Sequence, residues 1–347
     1  MAYVEYRIGM IAKDFMSWRP APLWIHAAML AALAAAFHLG GRWNALLEIV
    51  PAGGQVVAGQ ASGGDFAGDA RTFQLINYKG NVHTAEYGFV NFNQDRLSIS
   101  YRITEKDLKS YEQAYGYDPQ VAKELRRRRD AALVRSYRSA VASRKSQSQL
   151  DASSAAIETE YDRKLREYLA ARGFNLESGA VTRIDMPAIV RRNGPLLKPL
   201  AEVFDRIAIQ HGYGSMDIAG AVLSFAQTAL QHREPDAAYD GKNTGGILPP
   251  ITAIVRGWGD CDTKTALVSS ILSNWPQTRM IGISVPGHYL MAVLQIPGKR
   301  DLFVEYQGLK YVLLEPSGPA WLPPGRVADE TLAQINAGDG VSLHPFF

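Results

Sequence analysis

A thiol, an imidazole and a carboxylate follow one another in the C-terminal half of the chain. Cys261 lies in Gly257-Trp258-Gly259-Asp260-Cys261-Asp262-Thr263-Lys264, His288 follows Pro286-Gly287, and Glu315 precedes Pro316. Cys261 is the only cysteine among 347 residues. A cysteine attacks a carbonyl as its thiolate, a form favoured by a helix N-terminus and a nearby imidazolium. Two glycines break the chain before Cys261, and Ala266, Leu267, Ser270, Ile271 and Asn274 recur at helical spacing over 263–275, so Cys261 is predicted to open a helix. His288 opens the apolar run Tyr289-Leu290-Met291-Ala292-Val293-Leu294, predicted as a strand. A strand pair over 301–306 and 310–315, turning at Gln307-Gly308-Leu309, would carry Glu315 at its end, where a carboxylate holds an imidazole in the working tautomer. Glu305, on the partner strand, is the alternative orienting group. A lone cysteine is more often a small buried hydrophobe. Here Asp260 and Asp262 flank it, which argues against an apolar slot and marks both carboxylates as candidates for substrate contact.

Gly-Asp-Cys opening a helix, Gly-His opening a strand and an acidic residue before Pro-Ser at the end of a later strand resemble the transglutaminase-like superfamily of papain-related cysteine enzymes. The resemblance covers roughly residues 200–325. It implies a Cys261-His288-Glu315 triad, an acyl-thioester intermediate, and no metal or cofactor. It also implies a donor for the developing oxyanion, which Gln227, in the helical pattern 223–230, could supply together with the backbone N–H of Cys261. Many members carry an acidic residue two positions after the cysteine. That position is Thr263 here, with Asp262 directly after the thiol instead, so the resemblance leaves a calcium site at this position open. Bacterial members with this motif are more often hydrolases, which favours a peptidase or amidase acting on a cell-surface protein or wall peptide. The alternatives are an amine-accepting transglutaminase, an inactive transglutaminase-like binding module, and a scaffold subunit of a membrane complex.

The rest of the chain must anchor and position these groups. Residues 20–40 include Pro20 to Leu39, a stretch without carboxylate, lysine or arginine, and about 20 such residues cross a bilayer. Arg7, Lys13 and Arg19 precede it, which predicts a cytoplasmic N-terminus over 1–19 and a body on the periplasmic or other extracytoplasmic side of the cell membrane. A cleaved signal peptide is the competing reading. Residues 41–70, rich in Gly, Ala and Ser, read as a flexible tether. Residues 71–104 alternate apolar and polar side chains around Asn93-Gln94-Asp95, predicting a small β element for structure or partner contact.

Apolar stripes through Val121, Leu125, Ala132, Tyr137 and Val141, and through Ile157, Tyr161, Leu165 and Leu169, predict a helical hairpin arm over 105–172 with its bend in 143–154. The arm is a possible protein-partner surface, and Arg126 to Arg129 on it read as a solvated helix face. Residues 173–347 are assigned to the catalytic domain, with 174–192 as a connection holding a short strand over 180–184, and helices over 196–211 and 216–232. In its loop 234–250, Tyr239 and Asp240 are candidates for substrate contact.

The predicted class is therefore α+β: a papain-like or transglutaminase-like domain preceded by a transmembrane helix, a small β element and a helical arm. A hydrophobic content of 47% suffices for one substantial core and a second, smaller one. A net charge of +3 gives no case for nucleic acid, and one cysteine excludes an intrachain disulfide. No phosphate-binding glycine loop, zinc-ligand spacing or repeat appears.

Overall fold

The computed structural model describes residues 59–65, 72–176 and 182–347. The readings of 1–19 and 20–40, and most of the tether reading of 41–70, lie outside the described residues. Among those described, no helix is long and apolar enough to cross a membrane.

Four antiparallel strands, β1 (Gln60–Asp65), β2 (Phe73–Lys79), β3 (Val82–Val90) and β4 (Arg96–Thr104), form a sheet in the order β1-β4-β3-β2. The first is a correction: Gln60–Asp65 falls within the segment read as tether, yet pairs along its length with Arg102 to Leu97. Backbone pairing organised a sequence whose composition alone argued for none. The hairpin between β3 and β4 turns where predicted, with Asn91 Oδ1 accepting from the N–H groups of Asn93 and Asp95 at 3.0 and 2.8 Å.

Three helices follow: α1 (Glu105–Gln113), α2 (Pro119–Ala142) and α3 (Gln147–Ala170). The last two pack against each other as a hairpin. Its bend is shorter than the predicted 143–154, because Ser146 caps α3 in a reciprocal box with Gln149. The basic run on α2 is largely matched within the arm. Arg127 and Arg128 both bond Glu124 at 2.8 Å, and Arg129 lies 4.8 Å from the Tyr161 ring centre while pairing with Asp130 and Glu158.

Then come the small hairpin β5 (Phe174–Leu176) and β6 (Thr182–Ile184), and helices α4 (Met186–Asn193), α5 (Lys198–His211) and α6 (Ser215–Ser224). The helix α4 stands where only a connection was expected. Asp185 starts it by accepting from Ala188 N at 2.9 Å, and Pro187 sits in its first turn. The short pieces β7 (Gln231–His232), β8 (Ala238–Tyr239) and β9 (Lys242–Asn243) lead to α7 (Pro250–Arg256), β10 (Trp258–Gly259) and α8 (Cys261–Leu272). The chain ends with β11 (Met280–Val285), β12 (His288–Leu294), β13 (Phe303–Tyr306), β14 (Leu309–Leu314), α9 (Asp329–Ala337) and β15 (Ser342–Pro345). These five strands make one antiparallel sheet in the order β13-β14-β12-β11-β15.

Both faces of that sheet are covered, which explains the unbroken apolar run after His288. Met291, Val293, Val312 and Leu314 face a large core shared with α8, while Ile281, Ile283, Leu290, Ala292 and Leu313 face a smaller one under α9. The predicted pair of cores is present. The boundary between β element and catalytic domain is not. Tyr87 and Phe89 of β3 belong to the same core as Ile254 of α7 and Leu267 of α8. Tyr87 Oη also donates to the Ile254 carbonyl. The β element is therefore one wall of the body that holds the thiol.

Candidate active site

The thiol is placed by a short, heavily specified stretch. Gly257 ends α7 in the left-handed conformation, at φ 74°, and its carbonyl accepts from Gln74 Nε2 at 2.6 Å. A Cβ there would stand 1.7 Å from that amide nitrogen, so only glycine fits. A Cβ on Gly259 would lie 2.5 Å from the Thr263 side chain. Asp260 caps α8 by accepting from Thr263 N at 2.9 Å, so Cys261 is the first residue of the helix, and its N–H has no acceptor within the helix.

Below this first turn α8 is buried all round, from Thr263 to Leu272. Its polar side chains are spent locally. Thr265 Oγ1 donates to the Tyr289 carbonyl at 3.1 Å, tying the helix to the strand that carries His288. Lys264, fully buried, donates Nζ to the Leu230 carbonyl at 2.8 Å. Burial brings its ammonium down to about 8, opposed by the charge of Asp260.

His288 is the first residue of β12 and Glu315 the first after β14, a neighbour of β12 in the sheet. Adjacent strands therefore deliver imidazole and carboxylate to one end of the sheet. His288 Nε2 and Glu315 Oε1 are 2.7 Å apart. The other carboxylate oxygen accepts from Thr331 Oγ1 of α9 at 3.1 Å, leaving Glu315 only 2% exposed. The ring also interacts with the Cys261 side chain. Burial alone would push its proton off, but hydrogen bonding to Cys261 and Glu315 outweighs this and raises His288 to about 10. This imidazole shares a cleft with a sulfur at a helix N-terminus, surroundings that favour a thiolate nucleophile.

Cys261, His288, Asp260 and Asp262 line one cleft of about 450 Å³, together with His232 and Glu234. Burial lifts both aspartates above the ordinary carboxylate range. Asp262 reaches about 6, pushed further by Asp260 and held back by His288. Asp260, Cys261 and Asp262 offer three ligand-type atoms within 4.8 Å of one another. Of these, Asp260 already spends Oδ1 on its helix cap.

Gln227 is a correction. It lies in a π-helical turn (Phe225–Ala229) and is buried, and it does not line the cleft of the thiol. Both amide protons are taken, by the carbonyls of Glu315 at 2.7 Å and Leu322 at 3.0 Å, and Oε1 accepts from Leu322 N at 2.9 Å. It has no donor left for an oxyanion. Its work is to hold the backbone of Glu315 and the loop that follows. The loop candidates also lie elsewhere: Tyr239 accepts from Arg256 at 3.2 Å and Asp240 is exposed in a turn, and neither lines the cleft. Glu305 points to solvent from β13, opposite Lys310. His232 and Thr331 were missed. A two-residue parallel ladder sets His232 beside Gly259, and nothing local in the sequence announces that pairing.

Comparison with known proteins finds no matching family profile, no matching curated relative and no matching solved structure.

Proposed function

We propose that this chain is a transglutaminase-like cysteine hydrolase, a peptidase or amidase anchored by residues 20–40 with its body on the extracytoplasmic side of the membrane. One observation carries the reading: His288, 2.7 Å from Glu315 at the end of a neighbouring strand, lines the same cleft as Cys261, the first residue of a helix. The papain-like relation is part of the proposal, supported by a cysteine helix packed on an antiparallel sheet that supplies histidine and acid in that order. The arm as a partner surface is a further part, supported by exposed Val134, Tyr137 and Val141 on one helix.

His288 draws the proton from Cys261 as the sulfur engages the substrate. The thiolate attacks an amide carbonyl carbon, and the Cys261 N–H donates to the oxyanion that forms. His288 then gives its proton to the departing nitrogen as the C–N bond breaks, leaving an acyl-thioester and a free amine. Water attacks the thioester, His288 takes the proton of that water, and the carboxylic acid leaves as sulfur recovers its electron pair. Glu315, fixed by Thr331 Oγ1 and through its backbone by Gln227, keeps the ring oriented at each step.

The test is a comparison of protein termini at the cell surface in cells carrying the wild-type chain or Cys261→Ala. A hydrolase leaves defined new termini in the first that are missing from the second. Identical termini in both would remove the hydrolytic reading, and isopeptide cross-links in place of new termini would assign the acyl group to an amine acceptor.

A further inference from the structure

The cleft that holds Cys261 does not end at the imidazole. A second cleft, of about 360 Å³, begins there and runs under the loop after Glu315 towards Glu330 and Gln334 of α9. Gly287, His288 and Ser317 line both. Gly287 forms the saddle between them, in a left-handed turn where a Cβ would meet nothing within 4 Å. Each cleft lies at the low end of the range, about 300–1,000 Å³, that encloses a small ligand.

Beside the thiol and the imidazoles of His232 and His288, every titratable side chain lining the two clefts is a carboxylate. No lysine or arginine lines either cleft. The two cations nearest the thiol in sequence are drawn elsewhere: Arg256 pairs with Glu112 at 3.0 Å, and Lys264 is buried on the Leu230 carbonyl. Glu234 and Asp262 stand on the Cys261 side, and Glu330 on the far side. Asp262, although lifted to about 6, is ionised above neutral pH.

The order of chemical steps gives these two clefts different tenants. The carbonyl must meet sulfur in the first cleft, so the acyl part of the substrate lies there. The departing nitrogen must receive its proton from His288, so the leaving part passes over Gly287 and Ser317 into the second. We propose, resting on the hydrolase reading above, that the two clefts form one groove for an extended polypeptide. The chain is cut internally, with a lysine or arginine side chain on the acyl side facing Glu234 and Asp262.

The experiment uses the full chain in detergent and a mixture of tetradecapeptides acetylated at the N-terminus and amidated at the C-terminus, read by mass spectrometry. The expected result is cleavage well inside the blocked peptides, about fivefold faster with Lys or Arg than with Glu or Ala in the acyl-side positions, as a partly exposed ion pair gives. Glu234→Gln should shrink that preference to about twofold or less. Ser317→Trp, which fills the saddle, should slow peptide cleavage at least about tenfold while Cys261 still reacts with iodoacetamide at the wild-type rate, showing that the variant is folded. Three results overturn the proposal: release of terminal residues only, cleavage indifferent to charge, or an iodoacetamide-reactive Cys261 with no cleavage of any blocked peptide. An unreactive Cys261 in the wild-type chain overturns the hydrolase reading itself, and this proposal with it.

Discussion

The side-chain amide of Gln227 donates to the backbone carbonyl of Glu315 at 2.7 Å, so a residue 88 positions upstream fixes the backbone of the residue whose carboxylate meets the His288 ring. This relationship separates two roles that look alike in sequence. An oxyanion donor lost to mutation costs about 10²–10³ in kcat with little change in stability. Gln227→Ala should do the reverse. It leaves the Glu315 and Leu322 carbonyls and the Leu322 N–H without their partner, at a cost of about 2–4 kcal/mol in unfolding free energy by urea titration. The fraction still folded should keep kcat within about tenfold. A stable variant with kcat down a hundredfold would restore the oxyanion role.

Glu315→Gln keeps the shape but removes the charge that helps His288 hold its proton. The account predicts a fall of about 10²–10⁴ in kcat/KM, in the range seen when a triad acid is neutralised. The sign of the pH effect also follows. His288 is raised to about 10 in part by Glu315, so weakening that support lets the ring lose its proton at lower pH. The alkaline limb of the rate profile should therefore move down in the variant. An unmoved limb would mean that Glu315 is structural only.

Asp262 carries a stability prediction. Its folded carboxyl titrates at about 6, above the unfolded value near about 3.9, so the native state binds its proton more tightly. The stabilisation from holding that proton is complete below about pH 4 and is lost as pH rises through 6. Asp262→Asn should remove this slope. Relative to wild type it should gain about 1–2 kcal/mol between pH 4 and pH 7.5, after allowance for partial exposure to water. Urea midpoints at the two pH values measure it, and a difference that is constant with pH would contradict the assignment.

The arm is joined to the body at its root, where Arg192 donates to Ala171 O at 3.0 Å and to Ala114 O at 3.3 Å, while Tyr168 Oη accepts from Asp118 N at 2.7 Å across the arm's own base. Excising residues 134–155 and closing the hairpin with a short glycine turn spares all of these bonds. The rate at which iodoacetamide modifies Cys261 should stay within about twofold of wild type, because distant sites act independently. A large loss would make the arm part of the active body.

Legibility tracked how local each constraint was. Cys261 at a helix start, His288 at a strand start and Glu315 at a strand end were readable because glycines, prolines and an apolar run mark those positions in the nearest few residues. The two cores followed from hydrophobic content. What escaped was set by long-range pairing. Gln60–Asp65 became a strand through β4, about 40 residues on, and His232 entered the cleft through a ladder to Gly259. Gln227 misled for a related reason. An upstream buried amide is what either an oxyanion donor or a backbone clamp looks like, and only the partners at Glu315 and Leu322 tell them apart. The β element seemed separable because its alternation is local, whereas the core it shares with α7 and α8 is not.

The central claim is that His288 activates the Cys261 sulfur, and alkylation at pH 6 measures this most directly. An ordinary thiol, with a pKa near about 8.5, is almost entirely protonated there and reacts slowly. The account predicts that iodoacetamide modifies Cys261 at pH 6 at least about tenfold faster than a cysteine in an unstructured peptide, and that His288→Ala abolishes the advantage. A rate equal to that of the free peptide, and unchanged by His288→Ala, would contradict it.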